Sequence, residues 1–233
     1  MSDADVTKLP MLNDQSGPLA ERVYTAVKSA IMGLDFPPGA VIRKSALCDR
    51  LGTSRSPVAD ALAKLSIEGL VDIVPQSGTR VSRLSMASVR ADAFLREALE
   101  VAAARHAALH RTDDVVTRLN RSIEMQRLVI EDVDADDFMQ ADIAFHETIM
   151  ATTQVARLPG VVRTLSPNVD RARMLLLPEP GRLADTLEEH IQIVDAIRRR
   201  DVPAAEGAMR HHVQQLLRRL APLEAARPDL FSK

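Results

Sequence analysis

Four side chains in the second half of the sequence have the types and spacing of a metal-binding set. Asp142 and His146 stand four residues apart in DIAFH, one helical turn, and so share nearly one face of any helix built there. Phe138, Phe145 and Ile149 form the apolar stripe of that segment, with Asp142 inside it. His190 lies beside Leu187 and Ile191, and His212 falls among Ala205, Ala208, Met209 and Leu216. Burying a carboxylate or an imidazole without a partner costs roughly several kcal/mol, so these groups need one another or an ion. A carboxylate and three imidazoles converging inside a helical bundle suit zinc, nickel or a similar divalent ion. Taken singly, each histidine also fits a satisfied core or surface residue, and the residues alone leave both readings open. His211 is the neighbour that confuses the pattern, but helical phase turns it about 100° from the Met209–Leu216 face.

The cluster also raises a metal-dependent hydrolase as an alternative. His146 and Glu147 begin an HExxH pattern, but Met150 holds the place of its second histidine. No GxSxG elbow, Walker loop or dinucleotide fingerprint is present, so no catalytic residues are assigned.

A second chemistry is written in LGTSRSPVADAL, Leu51 to Leu62. Gly52 ends one helix and Ser54 suits the N-cap of the next, with Pro57 tolerated in its first turn. Such a helix start presents unpaired N–H groups and a partial positive charge, which favour phosphate. Thr53, Ser54 and Ser56 add hydroxyl donors, and Arg55 carries a fork matched to guanine O6 and N7. Val58, Leu62 and Leu65 share one face and anchor the helix to a core. Capping alone would account for Ser54.

The elements that must position these residues are mostly helical. Leu19–Met32 is a helix with Val23, Ala26, Val27, Ala30 and Ile31 on one face, stopped at Gly33 before the FPPG turn. Ser45–Leu51 is a second helix, and the third runs from the Ser54 cap to about Glu68. Val71–Val74 and Arg80–Ser82 are short strands about PQSG, a hairpin. Helices then follow over Ser85–His110, from a Thr112 cap to Glu131, from an Asp134 cap to Thr153, and over Asn168–Leu177, Leu183–Arg200 and Pro203–Leu220 after an Asp201 cap.

Helix, helix, tight turn, helix, hairpin is the order of a winged helix-turn-helix. The run PPGAVIRKSALCDRLGTSRSPVADALAKLSIEGLV, followed by SGTRV, resembles the DNA-binding domain of GntR-family bacterial transcription regulators. The resemblance implies that the third helix reads DNA and that the hairpin is the wing, with Arg43, Lys44, Thr53, Ser54, Arg55, Ser56, Thr79 and Arg80 as DNA contacts. One departure stands out: relatives commonly carry Arg-Glu after Pro-Val in this helix, where this chain has Ala59 and Asp60. A lost contact of that kind costs about 1–3 kcal/mol, which Arg43, Lys44 or Arg80 would have to offset.

Further on, LREALE, DIAFH, EEHIQIVDAIRRRD and AAEGAMRHHV resemble the FCD effector domain of the FadR-type subgroup. That likeness implies an all-helical bundle of six or seven helices that holds a divalent metal, zinc or nickel, on Asp142, His146, His190 and His212. It also implies a pocket for a small carboxylate effector, with Arg96, Asn168 and Arg171 as candidate contacts and Arg173 also within reach. For Arg96 the alternative is a surface ion pair with Glu100. A homodimer on a double-stranded DNA operator follows from the resemblance, not from any heptad seam. A constitutive DNA-binding regulator with no metal or effector is the other alternative.

Composition agrees. The 233 residues are 46% hydrophobic, 27% charged and 3% aromatic, which leans towards helices with aliphatic cores. Residues 18–83 carry nine Lys/Arg against six Asp/Glu, and the remainder is acidic, so a mildly basic module is joined to something else. The single Cys48 excludes an internal disulfide, and no apolar run approaches the roughly 20 residues of a membrane span, so no membrane partner and a cytoplasmic location are expected. The domains read as a flexible tail (1–17), the winged helix-turn-helix (18–83), the helical effector and dimerisation domain (84–222) and a C-terminal tail (223–233).

Overall fold

The computed structural model describes residues 3–12, 17–74, 78–132, 135–165 and 167–232. Among them the chain forms ten α-helices and one three-stranded antiparallel sheet. It separates into two compact units, Met1–Met86 with Glu224–Lys233, and Ala87–Leu223.

In the first unit, α1 (Leu19–Met32) buries the five residues whose spacing marks its apolar face. Its end is not made by Gly33, whose φ is −79°; the left-handed step falls on Leu34, at φ 63°. Gly39 then turns at φ 80°, where a Cβ would stand 3.3 Å from the Arg83 guanidinium. Strand β1 (Val41–Ile42) leads into α2 (Lys44–Leu51), and Gly52, left-handed at φ 61°, caps α2 by donating to Cys48 O. Three residues later α3 (Arg55–Ile67) begins, burying Val58, Ala61, Leu62 and Leu65. Strands β2 (Val71–Val74) and β3 (Gly78–Val81) pair antiparallel, and β3 lies between β1 and β2. The winged helix-turn-helix is therefore borne out. β1 was not legible, because two residues show no period; the PQS part of the hairpin turn lies outside the described residues.

Two terminal stretches depart from the expected tails. Residues 3–12 hold a 3-10 turn, Val6–Lys8, capped by the Asp5 side chain, and bury Ala4, Leu9 and Leu12 in the core of this unit. Ala4 N donates to Val41 O at 2.9 Å. At the other end Leu230 and Phe231 are buried, Leu84 N donates to Leu230 O at 3.0 Å, and Ser232 N donates to Leu84 O at 2.9 Å. Polar composition hid a few well-placed apolar residues in both cases.

The second unit is a bundle formed by α4 (Met86–His110), α5 (Asp113–Asp132), α6 (Ala135–Ala151), α7 (Leu158–Leu165), α8 (Pro167–Leu176), α9 (Arg182–Arg198) and α10 (Val202–Ala226). Thr112 and Asp201 cap as expected: Val115 N donates to Thr112 Oγ1 at 3.3 Å and Ala204 N to Asp201 Oδ1 at 3.1 Å. The Asp134 cap lies outside the described residues. α7 was not foreseen, because Pro159 looked like a break; it sits in the first turn, where proline is tolerated. Helix α5 packs on α6 and α9 around Leu119, Phe145, Ile193 and Ile197, all fully or nearly fully buried.

Phe36 is completely buried in the first unit, with Leu47, Leu62 and Leu65 in the same core. Phe36→Ala is expected to cost about 3–5 kcal/mol through lost burial and the cavity left behind. Urea unfolding followed by amide exchange in α1 and α3 measures it; a loss below 1 kcal/mol would show that the site collapses freely.

Candidate functional site

Helix α6 carries Asp142 and His146 one turn apart, α9 carries His190 and α10 carries His212, and all four are buried. One potential ligand atom from each lies within 4.8 Å of all the others. Nε2 of His212 stands 3.2 Å from Nε2 of His146 and 3.3 Å from Nε2 of His190. Asp142 Oδ1 is 3.6 Å from His190 Nε2, and Oδ2 is 3.8 Å from His146 Nε2. The four residues picked from the sequence are thus brought together.

Their far sides are tied to partners that the sequence reading did not assign to the site. His212 Nδ1 donates to Glu189 Oε2 at 2.7 Å, and His190 Nδ1 to Gln126 Oε1 at 2.7 Å. His146 Nδ1 meets Glu100 Oε2 at 2.5 Å, without the geometry of a directed hydrogen bond. Each carboxylate is held in turn by an arginine: Arg96 Nε donates to Glu100 Oε1 at 2.7 Å, and Arg182 donates to Glu189 Oε1 at 3.3 Å. Two Arg–Glu–His chains therefore enter the cluster, one from α4 and one from α9.

Burial alone would raise the Glu100 carboxyl, but Arg96 and His146 outweigh it and hold it well below the usual carboxylate range. Glu189 is lowered against its burial by His212 and Arg182. An ionised carboxylate only accepts, so the proton of His212 sits on Nδ1, and Glu100 draws the His146 proton to the same position. Burial pushes His190 well below the ordinary imidazole value, with His212 adding to the effect, and burial lowers His212 too. All three rings thus turn Nε2 towards one point. Asp142 stands among them with both oxygens buried and neither accepting a directed hydrogen bond, although Arg173 is in ion-pair contact with Oδ2. Against its burial, Arg173 and the imidazoles hold Asp142 well below the usual carboxylate range.

Beside the cluster is a cavity of about 400 Å³, lined by the polar side chains of His146, Arg96, Asp170, Arg173, Glu147 and Arg163. Ile143, Met150, Pro159 and Val162 supply apolar lining. Arg96 lines it while also pairing with Glu100, and that pair is buried, not on the surface. Asn168 and Arg171 do not line it, which corrects their placement as pocket residues: Asn168 is half-buried and hydrogen-bonds Asp92, and Arg171 is fully buried in α8. Helical phase explains the exchange, since Arg173 and Asp170 share the face of α8 that Arg171 leaves.

In the first unit, Ser54, Arg55 and Ser56 are exposed at the start of α3, and Ser54 makes no side-chain capping bond. Ala59 and Asp60 are exposed one turn on. Thr53 is half-buried, Lys44 is exposed, and Arg43 pairs with Asp3 at 2.7 Å. Arg80 is half-buried opposite Asp72 in the sheet. Thr79 is a correction: it is 2% exposed, paired with Ile42 and Ile73 in the middle strand, and its side chain packs inward.

Comparison with known proteins decides between the readings. The family model described as "Bacterial regulatory proteins, gntR family" matches residues 19–81, and the FCD domain model matches residues 93–215. The HTH-type transcriptional repressor RspR of Escherichia coli (strain K12) is 31% identical over 216 residues, covering 93% of this chain and 95% of the relative. The chain belongs to the GntR family. A probable D-xylose utilization operon transcriptional repressor of Paenarthrobacter nicotinovorans is 32% identical over 184 residues, covering 78% and 80% of the two chains. Among solved structures, E. coli McbR/YncC matches with a TM-score of 0.72 at 19% identity, covering 89% of this chain and 99% of that one, and so supports the fold. This GntR-family chain is a DNA-binding transcription regulator with a C-terminal FCD domain, not an enzyme. Among the described residues no helix is long and apolar enough to cross a membrane.

Glu100→Ala strands both the Arg96 guanidinium and the His146 Nδ1 proton in the bundle interior. It is expected to destabilise the metal-free protein by about 3–5 kcal/mol. Denaturant titration of wild type and variant reads the difference; equal midpoints would show the pair to be dispensable.

Proposed function

We propose that the chain is a repressor that binds a double-stranded DNA operator as a cytoplasmic homodimer, with a divalent metal ion and a small carboxylate effector in its helical unit. The observation that carries this reading is that Nε2 of His212 lies within 3.3 Å of Nε2 of both His146 and His190, while Nδ1 of each ring meets a polar partner. Nε2 lone pairs at that separation repel unless a cation lies among them, and Asp142, also in ion-pair contact with Arg173, supplies the anionic partner. Asp142, His146, His190 and His212 would hold the ion, which, when bound, supplies a Lewis-acid anchor for a carboxylate oxygen. Arg96 and Arg173 orient a carboxylate in the adjoining cavity, and the apolar wall excludes water.

Relatives named as repressors motivate that sign of regulation. Phe94 on α4, 71% exposed, and Met125 and Leu128 on α5 leave apolar surface uncovered in a single chain, which favours a homodimer. Two copies present two α3 helices to half-sites one DNA turn apart. An effector controls the regulator only through unequal affinity for its DNA-binding and released states. On α3 itself, Arg55 is the reader of a guanine edge and Ser54 and Ser56 hold phosphate oxygens.

Plasma mass spectrometry of tag-free, dialysed protein tests the metal. About one divalent ion per chain is expected, absent from His190→Ala with the helical circular dichroism retained. No ion after incubation with zinc or nickel would reject the metal part and leave DNA binding standing.

For DNA, sites selected by the wild-type chain from a random pool should bind Arg55→Ala with about 10-fold to 100-fold lower affinity at fixed salt. Thr79→Val, altering an inward residue, should stay within about twofold of wild type. An unchanged Arg55→Ala affinity would remove Arg55 from base reading.

A further inference from the structure

We infer that Tyr24, Lys28 and Glu68 form a polar clamp that sets the tilt of α3, and so act as positioning residues for sequence-specific DNA binding. The inference rests on the reading of α3 as the helix that meets DNA. Tyr24 and Lys28 stand one turn apart on α1, and Glu68 closes the end of α3. Tyr24 Oη donates to Glu68 Oε1 at 2.6 Å. Lys28 Nζ donates to Glu68 Oε2 at 2.6 Å and to Tyr24 Oη at 2.8 Å. Every side of this triangle is therefore bonded, and all three residues are half-buried. Against its burial, Lys28 and Tyr24 hold the Glu68 carboxyl below the ordinary carboxylate range, so it accepts from both. A second link lies one turn back along α3. Lys64 Nζ donates to both carboxylate oxygens of Glu21, at 3.0 and 3.1 Å, and stands 3.7 Å from the centroid of the Tyr24 ring.

The place of Glu68 in the chain gives the clamp its leverage. Gly69 turns the chain at φ 71°, Leu70 is completely buried with its N–H on Leu65 O at 3.0 Å, and β2 begins at Val71. One residue thus holds both the end of α3 and the entry to the wing. The helix has 13 residues, which puts its first turn about 18 Å from its last. A tilt of about 5° at the held end moves Arg55 by about 1.5 Å, enough to break a hydrogen bond to a base edge.

The buried face of α3 and the clamp restrain different motions. Val58, Ala61, Leu62 and Leu65 hold the helix by burial, which has no direction of its own. The bonds from Tyr24 and Lys28 fix an angle. Phosphate attraction falls off slowly with distance and tolerates a small tilt, whereas base reading does not. Loss of the clamp therefore reduces the preference for the selected site and spares general affinity for DNA.

Tyr24→Phe tests this, because it removes the shared hydroxyl and keeps the ring and the charge. Full-length wild type and variant are compared at fixed salt, at a temperature where circular dichroism shows both fully folded. The two DNAs are the duplex that wild type selects from a random pool and a scrambled duplex. Affinity for the selected duplex should fall about fivefold, and affinity for the scrambled one should stay within about twofold. A residue that only stabilised the fold would move neither under those conditions. Glu68→Lys should lower the ratio about tenfold, and adding Lys28→Glu, which restores the pair and the net charge, should recover it to within about threefold. Should Glu68→Lys fail to fold, Lys28→Gln should lower the ratio in the same direction. Tyr24 is the only tyrosine and the chain has no tryptophan, so intrinsic fluorescence reports the clamp directly. A phenol bonded to a carboxylate is quenched, and Glu68→Ala should raise the emission. A Tyr24→Phe ratio equal to wild type, a paired swap that recovers nothing, an unchanged Lys28→Gln ratio or an unchanged Glu68→Ala emission overturns the clamp. Arg55→Ala on the same duplexes separates the failures. If it lowers the ratio where Tyr24→Phe does not, the clamp falls alone; if neither lowers it, the reading of α3 falls too.

Discussion

Three imidazole nitrogens held face to face inside an apolar bundle constrain nearly everything around them. Left to themselves, His146, His190 and His212 would turn their rings so that each Nε2 met a donor or water. The bundle prevents this by fixing every Nδ1: Glu100 from α4, Gln126 from α5 and Glu189 from α9 each hold one ring. Five helices, α4, α5, α6, α9 and α10, must therefore keep their relative register for the rings to converge. The apolar contacts among Leu119, Phe145 and Ile193 hold that register. Packing and polar chemistry are one problem here, because a bundle that slipped by a turn would lose its hydrogen bonds as well as its core.

The charges beyond the rings extend the same constraint to the cavity. Arg96 touches Glu100, which touches His146, and Arg96 also lines the cavity. Arg173 touches Asp142 and lines the cavity as well. No residue inserted between cluster and cavity insulates them, since His146 belongs to both. A molecule that draws either guanidinium towards itself must alter the field at the cluster, and by linkage the reverse holds with equal strength.

How much of this was legible follows from helical phase. Asp142, His146, His190 and His212 showed in the sequence because each interrupts an apolar stripe. Glu100 and Gln126 interrupt stripes too, with Ala93, Ala103 and Ala104 along one and Leu119 and Ile123 along the other. Glu100 was read only as a surface partner of Arg96 and Gln126 was not singled out, because glutamate and glutamine are ordinary on helices, whereas three histidines are not. Arg171 and Arg173 both fell within reach of the pocket in the sequence, and only the turn of α8 separates a cavity residue from a core one. The winged helix-turn-helix was readable from glycines and prolines at element ends, except where Leu34 took the turn that Gly33 was expected to take. Thr79 shows the opposite failure: wing membership was right, but strand alternation points it inward, and in so short a strand either phase fits the pattern.

The recognition helix poses the remaining physical problem. Its exposed side offers Arg55 and two serines, then Ala59 and Asp60 one turn later. An alanine there gives no fork for a base, and the aspartate faces whatever the helix faces. A carboxylate near phosphate is repelled, and on a base edge it accepts only from cytosine N4. On the proposed reading, contact would therefore concentrate in the first turn, where the helix dipole and the Ser54 hydroxyl favour phosphate and Arg55 would reach the groove. Ser54 makes no capping bond of its own, so no local interaction has to break before it engages DNA. Affinity lost at Ala59 has to be recovered at Lys44 and along the sheet beside Arg80, where positive charge needs position but no base code. In the proposed homodimer a helix built this way would read few bases, and doubling the half-sites would square a selectivity that one first turn cannot supply.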